Sequence, residues 1–421
     1  MFEYSVEKVL NDMSLASIIQ QLYKVYMYPA RFPSKIFDIF FSKITLKGVF
    51  FDPFAGSGSL AIACYLTCRD FIVWDLNPAI HVIVDASIKL IEGASIGKVK
   101  DLIEVAARYG KPWLPEGAEK WWPQQFLDII GRIWGYFRDN LAQFNLAKMV
   151  FNPLDELWSL FATASLYASR KVSFTDDSIP KWFRSKFKRW RLEKLSSSIK
   201  DPDDARRVFI FYGEKKLSTF ARIQSSVVKP ACKPKIMEIA IVDAVKASNY
   251  PENVAGVLTS PPYLQAQEYI RSFDWELKLL GVPHHIVVML KHLEVPYRPP
   301  SNLEVLSETY KELLSSIEDP RLRRVVESYF TNTLLVLEKA SNSLAREGVM
   351  GVFVGDATVR GRIVPIIKIF KEHLTQKLGL ITMENEEIDD EIKRRRIFTK
   401  RRKNANPNGI AVEHLVFFKK P

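Results

Sequence analysis

The chain has 421 residues, 47% of them hydrophobic, and a formal net charge of +12. At roughly one domain per 100–200 residues this length suggests two or three lobes. No run of about 18 apolar residues argues for a membrane span, and the N-terminus lacks the basic start and apolar stretch of a signal peptide. Three cysteines, Cys64, Cys68 and Cys232, make no disulfide framework and no zinc set. They are expected as buried thiols in a reducing, cytoplasmic setting. The six histidines (His81, His284, His285, His292, His373, His414) have no ligand spacing with cysteines or acids, so no metal site is expected.

Residues 1–47 read as helical, interrupted by Tyr28-Pro29-Ala30-Arg31-Phe32-Pro33. The short apolar run Gly48-Val49-Phe50-Phe51 has the pattern of a buried parallel strand. It ends at Asp52-Pro53, a Gly/Ser turn follows, and Leu60 to Cys68 reads as helix. Phe71-Ile72-Val73-Trp74 is a second buried strand, ending at Asp75. Strand, glycine turn, helix, strand and acid open a Rossmann-like α/β unit. Beyond about residue 110, seven tryptophans (Trp113, Trp121, Trp122, Trp134, Trp158, Trp182, Trp190) crowd a region of helical spacing and basic segments. The α/β pattern resumes with Ile239–Val242 before Asp243, and with Gly256–Thr259 running into Ser260-Pro261-Pro262-Tyr263. Residues 265–345 look mostly helical, with a Pro-rich break at Pro296–Pro300. Val349–Val354 and His414–Phe418 are the last strands. The expected division is 1–84 and 236–421 for an α/β domain, with 85–235 as a mostly helical insertion lobe.

The positive charge is concentrated. From Arg170 to Lys235 stand 18 Lys/Arg against 7 Asp/Glu, and a second basic run covers Lys393-Arg394-Arg395-Arg396 and Lys400-Arg401-Arg402-Lys403. A local excess of this kind favours a polyanionic partner; a solvated basic face is the alternative. The densest candidates are Lys181, Arg184, Lys186, Lys188, Arg189, Arg191 and Lys194. Trp182, Phe183, Phe187 and Trp190 are interleaved with them, and core packing of these rings is favoured over base stacking.

Two motifs carry chemistry. After the first strand, Asp52-Pro53-Phe54-Ala55-Gly56-Ser57-Gly58 lets a nucleotide-like cofactor approach the main chain, and the next helix offers free N–H groups. Asp75 ends the next strand, where an acid accepts ribose hydroxyls. No Gly-Lys-Ser/Thr follows, which disfavours a P-loop, and Asp-Pro before the turn departs from a dinucleotide fingerprint. A plain strand-to-helix turn is the alternative. In Ser260-Pro261-Pro262-Tyr263, two prolines end a sheet ladder and leave carbonyls without ladder partners. An amino group on a base has two N–H bonds, for which Ser260 Oγ and the Pro261 carbonyl are suitable acceptors, and Tyr263 offers a flat face for stacking. A bare Pro-Pro loop end is the alternative.

With these motifs the sequence resembles the amino-methylating DNA methyltransferases, especially the N4-cytosine branch, whose Asp-Pro-Phe-x-Gly-Ser-Gly and Thr-Ser-Pro-Pro-Tyr motifs match Asp52–Gly58 and Thr259–Tyr263. The resemblance covers residues 26–78 and 239–281. It implies a Rossmann-like fold using S-adenosylmethionine (SAM) and acting on duplex DNA by flipping a base out. It implies that Asp52, Pro53, Phe54, Ala55, Gly56 and Gly58 frame the cofactor and that Asp75 holds its ribose. Asp243 with Ala244 would lie near its adenine, and Thr259 beside it. Tyr28, Arg31 and Phe32 would belong to an N-terminal motif against its methionine end. Ser260, Pro261, Pro262 and Tyr263 would be catalytic. Tyr269 to Gly281, containing Trp275-Glu276-Leu277, resembles the helix after the catalytic loop. Serine at position 260 favours cytosine-N4 over adenine-N6, where Asp or Asn is usual. A restriction endonuclease as companion is left open. Cytosine-C5 chemistry is rejected because no Pro-Cys pair exists. An RNA base methyltransferase is the runner-up, and a non-catalytic nucleic-acid-binding protein on this fold is the remote alternative.

Overall fold

The computed structural model describes residues 14–29, 31–264, 269–359, 362–388 and 413–421; the basic run from Lys393 to Lys403 and Ala30 lie outside them. The chain divides into two units. The α/β unit runs through 31–76, 232–268 and from 292 onward. Its seven-stranded sheet comprises β1 (Phe50–Asp52), β2 (Phe71–Asp75), β3 (Met237–Ile241), β4 (Val254–Thr259), β5 (Leu344–Gly355), β6 (Ile381–Ile388) and β7 (Glu413–Lys419). Their order is β3-β2-β1-β4-β5-β7-β6. The first five are parallel to one another, and β7 is antiparallel to both β5 and β6.

The local sequence explains the arrangement. β1 and β4 are central and buried at every position, as strands covered on both faces must be. β3 closes one edge and exposes Met237. Helix α1 (Ser59–Leu66) follows the glycine turn, and every one of its residues is buried. The apolar core on this sheet joins Phe51, Trp74, Val257, Met350 and Phe418 to Tyr329, Phe330 and Phe370 from the helices Pro320–Ser343 and Ile366–Leu378. Phe71–Trp74, Gly256–Thr259, Val349–Val354 and His414–Phe418 are strands as expected, and Pro296–Pro300 does interrupt the helices. β6 has no counterpart in the expectations from sequence.

One expectation is corrected. Cys68 and Cys232 are not free thiols; they form a disulfide across 164 residues, and Cys64 alone is a buried free cysteine.

The second unit contains 77–231 and 269–291 with the described residues before Ala30. It is mostly helical, with a hairpin of Ala142–Asn145 and Val150–Pro153 and a single bridge between Thr175 and Arg184. Its centre is the buried carboxylate of Glu276, which accepts from Tyr26 Oη at 3.0 Å, from Arg170 at 3.2 Å and from the Trp182 indole N–H. Burial raises the Glu276 pKa, and Arg170 opposes that rise. Trp122 and Trp275 pack edge-on at 5.1 Å in the same cluster. Among the described residues no helix is long and apolar enough to cross a membrane.

Candidate functional site

In a parallel sheet of this kind, ligands bind outside the carboxyl ends of the strands. Asp52 ends β1, Asp75 ends β2, Asp243 follows β3, Thr259 ends β4, and Glu413 begins the antiparallel β7 opposite Gly355 at the end of β5. Most of the cofactor and catalytic residues read from the sequence therefore share one edge of one sheet.

The glycine turn is built as its sequence requires. Gly56 (φ 56°) and Gly58 (φ 72°) occupy the left-handed region, which glycine enters without steric cost. Gly58 N–H bonds the Ala55 carbonyl at 2.8 Å, and Ala55 N–H bonds the Trp74 carbonyl at 2.9 Å, so the turn lies against β2. Gly56 N–H donates to Asp75 Oδ2 at 2.7 Å. Phe54 is partly buried against the core.

Asp52 is fully buried. Its Oδ1 accepts from Phe54 N–H at 3.0 Å and from Thr259 Oγ1 at 2.7 Å, and its Oδ2 is buried with no partner. Burial raises its pKa to about 7, with the Thr259 and Phe54 bonds opposing. The Thr259 bond fastens the glycine turn to the Ser-Pro-Pro-Tyr loop across 207 residues. Beyond Thr259, Ser260 is partly exposed, Pro261 buried, and Pro262 and Tyr263 partly exposed. Tyr263 packs on the core and donates its hydroxyl to Glu413 Oε1 at 2.6 Å.

Asp243 sits beside Asp75, because Val242 N–H bonds the Asp75 carbonyl. Its carboxylate takes a two-pronged contact from Arg298, at 2.7 and 3.0 Å. Ala244 is buried, and its carbonyl accepts from Tyr250 Oη. Asp356 and His414, at the same edge, stand 3.8 Å apart, and Asp356 Oδ1 and His414 Nδ1 are both buried without a partner.

Of the N-terminal motif, Arg31 and Phe32 belong to the α/β unit, and Phe32 packs at 5.8 Å on Phe353. Tyr28 belongs to the helical unit and packs on Phe273. Lys181, Arg184, Lys186, Arg189, Arg191 and Lys194 also belong to the helical unit, and all but the half-buried Lys181 are exposed. Arg189 pairs with Glu193 at 2.7 Å.

Two expectations here are corrected. Lys188 is not available to a phosphate. It is 4% exposed, donates to the Arg170 carbonyl and pairs with Asp177 at 2.9 Å. Burial pulls its pKa down to about 8, against the pull of Asp177. Of the four interleaved aromatics only Trp182 is core; Phe183, Phe187 and Trp190 are 59%, 69% and 60% exposed.

Sequence reasoning missed Arg298 and Glu413. Arg298 lies inside the Pro-rich break, and nothing local ties it to Asp243. Glu413 was within reach: it begins the last strand, and an antiparallel return brings that strand's start to the carboxyl edge.

The sheet order and strand directions, with one antiparallel strand inserted, make this a Rossmann-like α/β fold. No family profile matches the chain, and no curated protein matches it. Two solved structures of the rRNA methyltransferase aviRa from Streptomyces viridochromogenes align over 95% of this chain and 92% of theirs, at 11% identity and TM-scores of 0.31 and 0.30. Alignments this loose do not bear on activity or substrate.

Proposed function

We propose that this chain is a SAM-dependent methyltransferase acting on the N4 amino group of cytosine in DNA. The observation that carries the reading is the Thr259–Asp52 hydrogen bond, which ties the glycine turn to the Ser-Pro-Pro-Tyr loop.

The residues present fit the cofactor. Gly56 and Gly58 present backbone without side chains, Asp75 stands where ribose hydroxyls need an acceptor, and the buried, partnerless Asp52 Oδ2 suits a cationic donor such as an amino-acid ammonium. When bound, SAM supplies an activated methyl group on a sulfonium. The chain's own part is positioning. Ser260 Oγ and the Pro261 carbonyl accept the two amino N–H bonds, which orients the nitrogen lone pair. Tyr263, held through its hydroxyl by Glu413, gives the base a fixed ring to stack on. No base is required before methyl transfer, since the proton is lost from the methylated amino group afterward.

The basic residues of the helical unit support a nucleic-acid substrate, with phosphate contacts offsetting the few kcal/mol needed to unstack and unpair a base. Incubation with labelled SAM and unmethylated genomic DNA or RNA, followed by nucleoside analysis, tests the proposal. N4-methylcytosine in DNA is expected. N6-methyladenine or a methylated RNA base would replace the substrate assignment, and no label in any nucleic acid would overturn the activity.

A further inference from the structure

Helix α2 (Lys186–Ser196) leaves both of its aromatic side chains outside. It buries Lys188, Leu192 and Ser196, one stripe at helical spacing, and turns Phe187 and Trp190 toward solvent. Apolar burial alone would favour the opposite rotation, since covering a large aromatic side chain is favourable. The rotation is fixed instead by polar bonds: Lys188 to Asp177 and the Arg170 carbonyl, and Ser185 Oγ capping the helix by accepting from Lys188 N–H. Phe187 and Trp190 stand three positions apart, with ring centroids at 6.1 Å and planes 33° apart. Exposed Lys186, Arg191 and Lys194 surround them, the Lys194 ammonium lying 6.0 Å from the Trp190 ring.

We infer that this face binds a single-stranded segment of DNA, with Phe187 and Trp190 as a stacking platform for unpaired bases and the surrounding cations on the phosphates. Charge complementarity and exposed rings among cations are the combination that single strands require and that intact duplex, whose bases are already stacked, does not. The inference rests on the DNA reading above and deepens it.

The test measures binding of a labelled oligothymidylate, the same length of duplex DNA and an oligouridylate to the full chain and to F187A/W190A. Both rings are exposed, so the variant is expected to melt like the native chain and to bind SAM equally well. The native chain should prefer the single-stranded DNA over the duplex, and the variant should lose about tenfold or more of that affinity. Equal oligothymidylate binding by the variant, or a native chain that binds only duplex or only the RNA, overturns the inference. Labelled methyl uptake separates the two claims: loss of single-strand binding in a protein that methylates nothing retains this face and rejects the activity, and the converse rejects this face alone.

Discussion

Thr259 Oγ1 donates to Asp52 Oδ1 at 2.7 Å, both residues fully buried, joining the ends of the adjacent parallel strands β1 and β4. The bond sets the height of the glycine turn against the Ser-Pro-Pro-Tyr loop. Thr259→Val keeps the shape and removes the donor, leaving a buried oxygen with the Phe54 N–H alone. The expected cost is about 1–3 kcal/mol, read from urea melts. A native-like melt would show that the bond contributes nothing.

Asp52 also predicts a pH dependence. Its pKa is raised from 3.8 to about 7 by burial. Between those values the folded chain holds a proton that the unfolded chain has released. Stability should therefore fall as pH rises through that window and level off above it, with a slope of up to about 1.4 kcal/mol per pH unit from this group. Asp52→Asn removes that contribution. Denaturant midpoints at pH 5 and pH 8 check it: the native-minus-variant difference must shrink as pH rises.

These two residues are legible in the sequence because each ends a short apolar run in front of a turn no strand can continue. β6 is not. Ile381-Thr382-Met383-Glu384-Asn385-Glu386-Glu387-Ile388 has three carboxylates and no apolar run, and its place at the sheet edge is specified by backbone pairing to β7. Lys188 and Trp190 escape a sequence reading for a related reason. Helical spacing offers α2 two possible buried stripes, and the choice is made by Asp177 and the Arg170 carbonyl, which only the folded chain brings near. A disulfide spanning 164 residues is equally out of reach of local pattern.

In the proposed reaction the Ser-Pro-Pro-Tyr loop supplies the groups that touch the base, and Glu413 positions one of them. Under the proposed activity, Ser260→Ala should lower single-turnover methyl transfer by about a hundredfold while SAM binding by calorimetry is unchanged. Tyr263→Phe keeps the ring and drops the bond to Glu413, so it should fall between native and Tyr263→Ala. Equal rates in all three variants would remove this loop from the reaction.

The basic helix divides in the same way. Lys188→Ala breaks a half-buried pair and should destabilise by about 2–3 kcal/mol, below the penalty for a fully buried pair, because Asp177 is partly exposed and keeps Lys171 at 3.2 Å. Replacing exposed Lys186, Arg191 and Lys194 with alanine together should leave the melt within about 0.5 kcal/mol per site. The same change should flatten the dependence of log DNA affinity on log salt by about one for each phosphate no longer neutralised. Thermal melts and salt-titrated binding read the two effects separately, and a triple variant with the native salt slope would take these side chains off the DNA.

Cys68 and Cys232 join the residue just past α1 to the segment entering β3, where Asp70 Oδ1 also accepts from Lys235 N–H at 2.6 Å and Ile236 N–H at 3.0 Å. Those hydrogen bonds hold the junction in the folded chain but vanish on unfolding, whereas the disulfide keeps a loop of 164 residues closed. Its effect therefore falls mainly on the unfolded state, and Cys232→Ser should cost about 2–4 kcal/mol. A reductant should lower the native melting temperature to that of the variant and leave the variant unmoved, since Cys64 has no partner to lose. Thiol titration of the denatured, unreduced chain should find the Cys64 thiol alone. Titration of all three cysteines there, or a native melt indifferent to reductant, would remove the disulfide from the account of stability.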